Sequence, residues 1–273
     1  MEKRSFQFKS PSLFVGLVII CLFWSILSLL KPASQLPSLD ADYSKDIKAL
    51  PDFSAFKNAK KKKQAFFSFL YPIVEKENRF LLQIREHLLS LDQALKLGDL
   101  SEEELNWLST LSNEYLIEQN SAQEMIDQLL ISVQSIPPSM ALAQAAIESG
   151  WGTSRFARKG NNLFGHWCFE EGCGLVPKGR DDSKSHEVAK FNSVNESIRA
   201  YFKNLNSFHR YEDFRNLRQV HLNQESWDVY KLLPGLLAYS ELGPGYIKKV
   251  SRMIKQNKLT RFDQQFYEQA KAI

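Results

Sequence analysis

The longest unbroken apolar run lies near the N-terminus. Residues 10–30 carry no charge, and from position 13 onward Leu, Ile, Val, Phe and Trp fill most places. About 20 apolar residues at about 1.5 Å each span a hydrocarbon core of about 30 Å. A buried core helix of that length would carry a polar face, and this run has none. From Gln64 the pattern turns helical: Phe66, Phe67 and Leu70, then Phe80, Leu81, Ile84, Leu88 and Leu91, recur at threes and fours. Pro72 is expected to break or kink the first stretch, and Gly98 to end the unit. Ser101 with Glu104 forms a capping-box pattern that opens a helix bearing Leu105, Leu108, Leu111 and Leu116, and a third helix is expected from Ser121 to Val133. Ser139, preceded by two prolines, is set to start a helix whose buried stripe is Ala143, Ala146, Ile147 and Gly150. Residues 186–191 alternate like a strand, with Glu187, Ala189 and Phe191 on one face. Ser193 and Glu196 then cap a helix carrying Ile198, Tyr201, Phe202 and Leu205.

These signals divide the chain. Residues 1–9, with Lys3, Arg4 and Lys9, read as a cytoplasmic head, and residues 10–30 as a transmembrane signal anchor oriented by the positive-inside rule. Leu29-Leu30-Lys31-Pro32 follows the apolar run directly and offers no small-residue cleavage site, which favours an uncleaved anchor over a signal peptide. Residues 31–63, punctuated by Pro32, Pro37 and Pro51 and closed by four lysines, read as a flexible linker, the lysines as a solvated helix start. Residues 64–134 read as a helical accessory region, 135–257 as the domain with the chemistry, and 258–273 as a C-terminal tail.

Composition narrows the partners. A net charge of +4 over 273 residues does not suggest nucleic acid, though a mildly basic surface tolerates an anionic polymer. Cys21 falls in the anchor. Cys168 and Cys173 flank a short turn, and a domain outside the cytoplasm makes a local disulfide their natural state. Zinc would need two further ligands, and the spacing to His166 and His186 matches no common pattern. No metal or organic cofactor is expected.

The chemistry gathers at Glu148, near the C-terminal end of its helix and at the edge of the buried stripe. Gln144, four residues before, and Trp151, three after, share its face. Desolvation beside an indole and the negative end of the helix dipole both disfavour the carboxylate, so its pKa should rise, as a glycosidic general acid requires. An isolated Glu on an amphipathic helix would be an ordinary surface residue. Here Ser149-Gly150-Trp151-Gly152 and the Asn161-Asn162-Leu163-Phe164-Gly165 turn come close behind, supplying aromatics for pyranose faces and amides for hydroxyls and acetamides.

The block from Ala143 to Gly152 and the Asn161–Gly165 turn resemble the signature of bacterial endo-β-N-acetylglucosaminidases, the glucosaminidase domains of autolysins and flagellar wall hydrolases. The likeness is closest to the Bax-type branch. His186-Glu187-Val188-Ala189-Lys190-Phe191, Glu196-Ser197-Ile198-Arg199-Ala200-Tyr201, Asn204-Leu205-Asn206 and Tyr239-Ser240-Glu241 are similar to its further blocks, and the resemblance covers roughly residues 135–255. It implies an α+β, predominantly helical, lysozyme-like fold with a small β-hairpin lobe. It also implies hydrolysis of β-1,4 linkages after N-acetylglucosamine in peptidoglycan. Glu148 matches the catalytic acid, Tyr239 a supporting tyrosine and Tyr246 a second one. The family's commoner block there is Tyr-Ala-Thr-Asp-Pro-x-Tyr, so this chain is one residue longer between its tyrosines.

A two-carboxylate mechanism needs a partner for Glu148. Glu187, on its strand, ranks first among Glu170, Glu171, Asp181, Asp182 and Glu187. Attack by the substrate's own 2-acetamido group is the route that needs none. Gln144, Trp151, Asn162, Phe164 and Tyr246 are the expected substrate contacts. A lytic transglycosylase on a related fold, and a non-catalytic wall-binding protein that keeps the cleft, are the rival readings. The expected setting is the extracytoplasmic side of the inner membrane with peptidoglycan strands as partner; the sequence names no protein partner.

Overall fold

The structure is a computed structural model that describes residues 36–39, 43–118, 121–180, 185–222 and 228–270. The expected anchor at residues 10–30 lies outside these. Among the described residues no helix is long and apolar enough to cross a membrane.

Short 3-10 turns at Tyr43–Lys45 and Phe53–Ala55 precede α1 (Ala59–Leu97), α2 (Glu102–Glu114) and α3 (Ala122–Ser132). Then come α4 (Pro138–Glu148), α5 (Arg155–Gly160), the strands β1 (Trp167–Cys168), β2 (Gly174–Leu175) and β3 (Glu187–Ala189), and α6 (Val194–Ser207). After a 3-10 turn at His209–Tyr211, α7 (Glu212–Leu222) and α8 (Val229–Leu232) lead into a 3-10 helix at Leu233–Tyr239. The last two helices are α9 (Pro244–Asn257) and α10 (Thr260–Ala270). The fold is predominantly helical with one small antiparallel sheet of order β1-β3-β2, so the lobe is a hairpin completed by a third strand.

The capping signals are realised. Ser101 accepts from the Glu104 backbone while Glu104 reaches back to Ser101 N–H, and Ser121 and Ser193 cap α3 and α6. Pro72, however, does not break its helix: α1 runs 39 residues straight through it. Pro72 and Ser68 are both exposed, so the Ser68 carbonyl that loses its donor faces water. On the opposite side Phe66, Phe67, Leu70, Ile73, Val74, Leu81, Ile84, Leu88 and Leu91 are buried. That burial outweighs the roughly 3 kcal/mol that an interior proline costs.

α4 is the centre of the molecule. Every residue from Pro138 to Ala146 is buried, so the helix is enclosed all round and not on the single stripe its spacing suggested. α1, α9 and α10 pack against it. Its start is not capped by Ser139. Instead, the Ser139 N–H donates to the Asp263 carboxylate at 2.7 Å. Residues 258–273, expected as a tail, therefore contain a structural helix: α10 buries Phe262, Asp263 and Phe266 and closes the N-terminus of α4. The segment before α4 is held by Arg218, itself 1% exposed, which donates to the carbonyls of Ile131, Ser132, Gln134 and Ser135 and to Asn206.

The expected linker is also part of the fold. Asp46, whose side chain is 1% exposed, pairs with Arg199 at 2.6 Å and accepts from Ser193 at 2.8 Å. Ile47 exchanges hydrogen bonds with Val194 and Asn195, and Phe53 is buried against Phe66 and Phe69. Two anchors, one ionic and one aromatic, hold a stretch whose composition alone reads as a tether. The boundary drawn at residue 135 likewise marks no break, because α1 and α4 share one core.

Burial alone would raise the Asp46 pKa, but hydrogen bonds from Arg199 and Ser193 outweigh it and hold the carboxyl below its ordinary value. This group stabilises the fold above the unfolded carboxyl pKa of about 4, and the effect fades as pH falls through the lowered folded value. Asp46→Ala is expected to cost about 1–3 kcal/mol in urea unfolding at pH 7, with the deficit shrinking below pH about 4. An unchanged midpoint would show that the strap is not a fixed part of the core.

Candidate active site

Glu148 is the last helical residue of α4, and the turn after it keeps its side chain in place. Ser149 is the C-cap, Gly150 turns left-handed (φ 58°), and the Trp151 N–H returns to the Ala146 carbonyl at 3.0 Å, the long bond of a Schellman motif. The Ser149 hydroxyl donates to the Ala145 carbonyl and accepts from Gly152 N–H. Trp151 (φ 62°) and Gly152 (φ 74°) extend the left-handed run to three residues, a conformation that costs a tryptophan about 1 kcal/mol or more. A Cβ at Gly152 would lie 2.6 Å from the Phe53 ring, so the N-terminal strap presses directly on this turn.

Beneath Glu148 runs a line of buried polar groups. The Tyr201 hydroxyl donates to Gln144 Oε1 at 2.7 Å, and Gln144 Nε2 donates to the Tyr246 hydroxyl at 3.0 Å. Tyr246 in turn bonds the Glu148 carboxyl. Since Tyr246 already accepts from Gln144, its own proton is directed at Glu148. Desolvation raises the Glu148 pKa. The Tyr246 hydrogen bond and the Lys249 ammonium pull in the opposite direction without cancelling it. The carboxyl is half-buried and holds its proton above the usual carboxylate range.

Tyr239 completes the cluster. Its ring lies parallel to that of Tyr246 with centroids 5.3 Å apart, and its hydroxyl donates to the Phe164 carbonyl at 3.0 Å. Burial first, then the neighbouring phenols and the Glu148 carboxylate, push its pKa up, which puts the ring within the field of Glu148. Between the two tyrosines the chain turns where Gly243 N–H meets the Ser240 carbonyl, and Pro244 starts α9. Gly165 lies on the other side of the acid: a Cβ there would stand 3.8 Å from Glu148 Oε2.

Several residues expected to touch substrate are interior instead. Gln144 is 0% exposed, and Asn162 commits its amide to four backbone partners: Gly165 N–H, His166 N–H and the carbonyls of His166 and Ala189. Phe164 stacks on Tyr201 with centroids 4.0 Å apart and is buried, as is Tyr246. These four shape the site from behind. Trp151 packs edge-on against Phe66 and Phe67 of α1, under the Lys63 ammonium. Glu187 is not a free carboxylate opposite the acid. It is buried, and its two oxygens accept from Gly172 N–H at 3.2 Å and Gly174 N–H at 2.7 Å, bracing the turn between β1 and β2.

The Cys168–Cys173 disulfide is formed beside it. The two sulfurs and a Glu187 oxygen lie within 4.8 Å, but the disulfide leaves no thiolate for a metal. Glu170 and Glu171 are exposed, and Asp181 and Asp182 lie outside the described residues. Tyr201 and Lys249 belong to the site although no sequence motif marks either for it. Tyr201 reads as an ordinary core position of α6, and only an unpaired Gln144 facing it would have pointed there.

Residues 126–259 match the family described as mannosyl-glycoprotein endo-beta-N-acetylglucosaminidase, the glucosaminidases. The chain is similar to protein bax of Escherichia coli, with 31% identity over 212 residues, 77% of this chain and 74% of that protein. It is also similar to the exo-glucosaminidase LytG of Bacillus subtilis, with 29% identity over 150 residues, spanning half of each chain. Among solved structures, the catalytic domain of the autolysin Auto from Listeria monocytogenes aligns with a TM-score of 0.37 and 22% identity, over 63% of this chain and 93% of that one.

Replacing Tyr246 with Phe removes the hydroxyl that acts on Glu148 while keeping the ring. The Glu148 pKa should then rise further, read by carboxyl NMR titration. A fall would mean that Tyr246 does not stabilise the carboxylate.

Proposed function

The chain belongs to the glucosaminidase family, and from that premise we propose that it is an endo-β-N-acetylglucosaminidase acting on peptidoglycan glycan strands with Glu148 as general acid. The observation that carries this reading is a half-buried carboxyl whose pKa desolvation raises above the usual carboxylate range, set beside the Tyr201–Gln144–Tyr246 line. Glu148 gives its proton to the bridging oxygen as the bond to the anomeric carbon breaks. The substrate's acetamido oxygen then closes on that carbon. Water opens the resulting ring, and the Glu148 carboxylate takes the proton that water releases.

Glu187 has both oxygens engaged by backbone donors, which supports this substrate-assisted course over one that uses Glu187 as the second carboxylate. Tyr239, parallel to Tyr246 and tied to the Phe164 carbonyl, forms a fixed wall beside the reacting centre. The disulfide supports an oxidising, extracytoplasmic setting. We take residues 10–30 to be the anchor that keeps the domain there, on the outer face of the cytoplasmic membrane.

The same engagement of Glu187 favours one rival, a lytic transglycosylase, in which a sugar hydroxyl takes the place of water. The two differ in the new ends released from purified sacculi. Reducing N-acetylglucosamine ends, read by mass spectrometry, are expected, and 1,6-anhydro-muramic ends would replace this reading with the rival.

Glu148→Gln is expected to lower turnover by about 10²-fold or more at nearly unchanged thermal stability. Activity of the intact protein should decline as pH rises through the raised Glu148 pKa, because the acid is then without its proton. Wild-type turnover in Glu148→Gln would remove the mechanism.

A further inference from the structure

A groove of about 370 Å³ opens between the start of α1 and the junction of α9 with α10. Its polar lining is Lys60, Lys63 and Gln64 from α1 with Gln256, Asn257 and Arg261 from the other side, and none of the described residues lining it is acidic. Lys60 stands at the N-terminal end of α1, where a cation opposes the helix dipole, and Lys60 to Lys63 have no Asp or Glu three or four positions onward. Helix stability therefore does not account for these lysines.

One lining residue reaches toward the site. Lys63 lies 4.9 Å from the Trp151 ring, three residues after Glu148. Lys249, whose charge acts on Glu148, is seven residues before Gln256 on α9, two turns or about 10 Å along one helix face. An extended peptide covers that distance in about three residues. Amides beside cations suit a ligand with both peptide groups and carboxylates, whereas a phosphate needs only the cations.

We propose that this groove binds the carboxylate-bearing peptide stems carried by the glycan strand, so that the enzyme recognises stem-bearing strands beside the bond it cuts. The inference rests on the peptidoglycan reading above. Two measurements on the full chain separate them. Muramyl tripeptide titrated against the wild type, followed by NMR, needs no turnover. Its Kd should weaken at least tenfold in Lys60→Gln/Arg261→Gln, and in Lys60→Glu alone should the double variant melt early. Separately, KM for stem-bearing strands should rise about fivefold in the variant, while strands stripped of stems by an amidase should give equal kinetics in the two proteins.

Tripeptide binding without glycan cleavage would sink the hydrolase reading and leave the groove standing. Cleavage that is indifferent to stems and to the variant would sink the groove. Phosphatidylglycerol vesicles that bind in a Lys60-dependent manner, with no tripeptide binding, would reassign it to lipid headgroups and overturn the proposal.

Discussion

A primary amide with no access to water must find a partner for each of its polar atoms, and Gln144 is such a group in a helix buried from Pro138 to Ala146. Its oxygen is satisfied by a tyrosine on α6 and its nitrogen by a tyrosine on α9. That requirement fixes three helices relative to one another. It also sets the direction of every hydrogen in the line, so that the last phenol has only Glu148 left to address. The one phenol that bears on Glu148 is thus placed by a packing constraint beneath it, while desolvation sets the direction of its pKa shift.

The other side of α4 is held by comparable means. Arg218 gathers the carbonyls that precede it, Asp263 takes its first free N–H, and the strap ending in Phe53 rests on the left-handed turn after it. Each contact joins residues far apart in sequence, so the orientation of Glu148 draws on nearly the whole described chain. Asp263 illustrates the cost: burial lifts its pKa to about 7 even though the Ser139 hydrogen bonds act against the shift. Below that pH the folded protein retains a proton there that the unfolded chain gives up near pH 4, and the contribution to stability declines as pH rises through this window.

The helices of this protein are legible in its sequence where the signal is local. Ser101, Ser121 and Ser193 announce their caps because the reciprocal bonds span only three residues. The helix end at Glu148 is readable because the Gly and Trp after it build an unusual turn. What escapes is direction and long-range pairing. Asn162, Phe164 and Gln144 occupy the expected positions, yet an amide that reads a sugar and one that braces a turn are the same letters. Pro72 looked like a breaker because its exposure on one face of a long helix depends on what packs on the other. Asp46 and Phe53 are single anchors with no periodicity, so the strap they fasten resembles a spacer.

The bond between Asp263 and the Ser139 N–H joins positions 124 residues apart, with the earlier partner at the head of the buried helix. A ribosome has to produce nearly half of the chain after that helix before its closing contact exists. The growing polypeptide consequently carries its acid for a long interval without the scaffold that orients it. Assembly of this geometry thereby waits on a helix that emerges 124 residues after the head of the buried one.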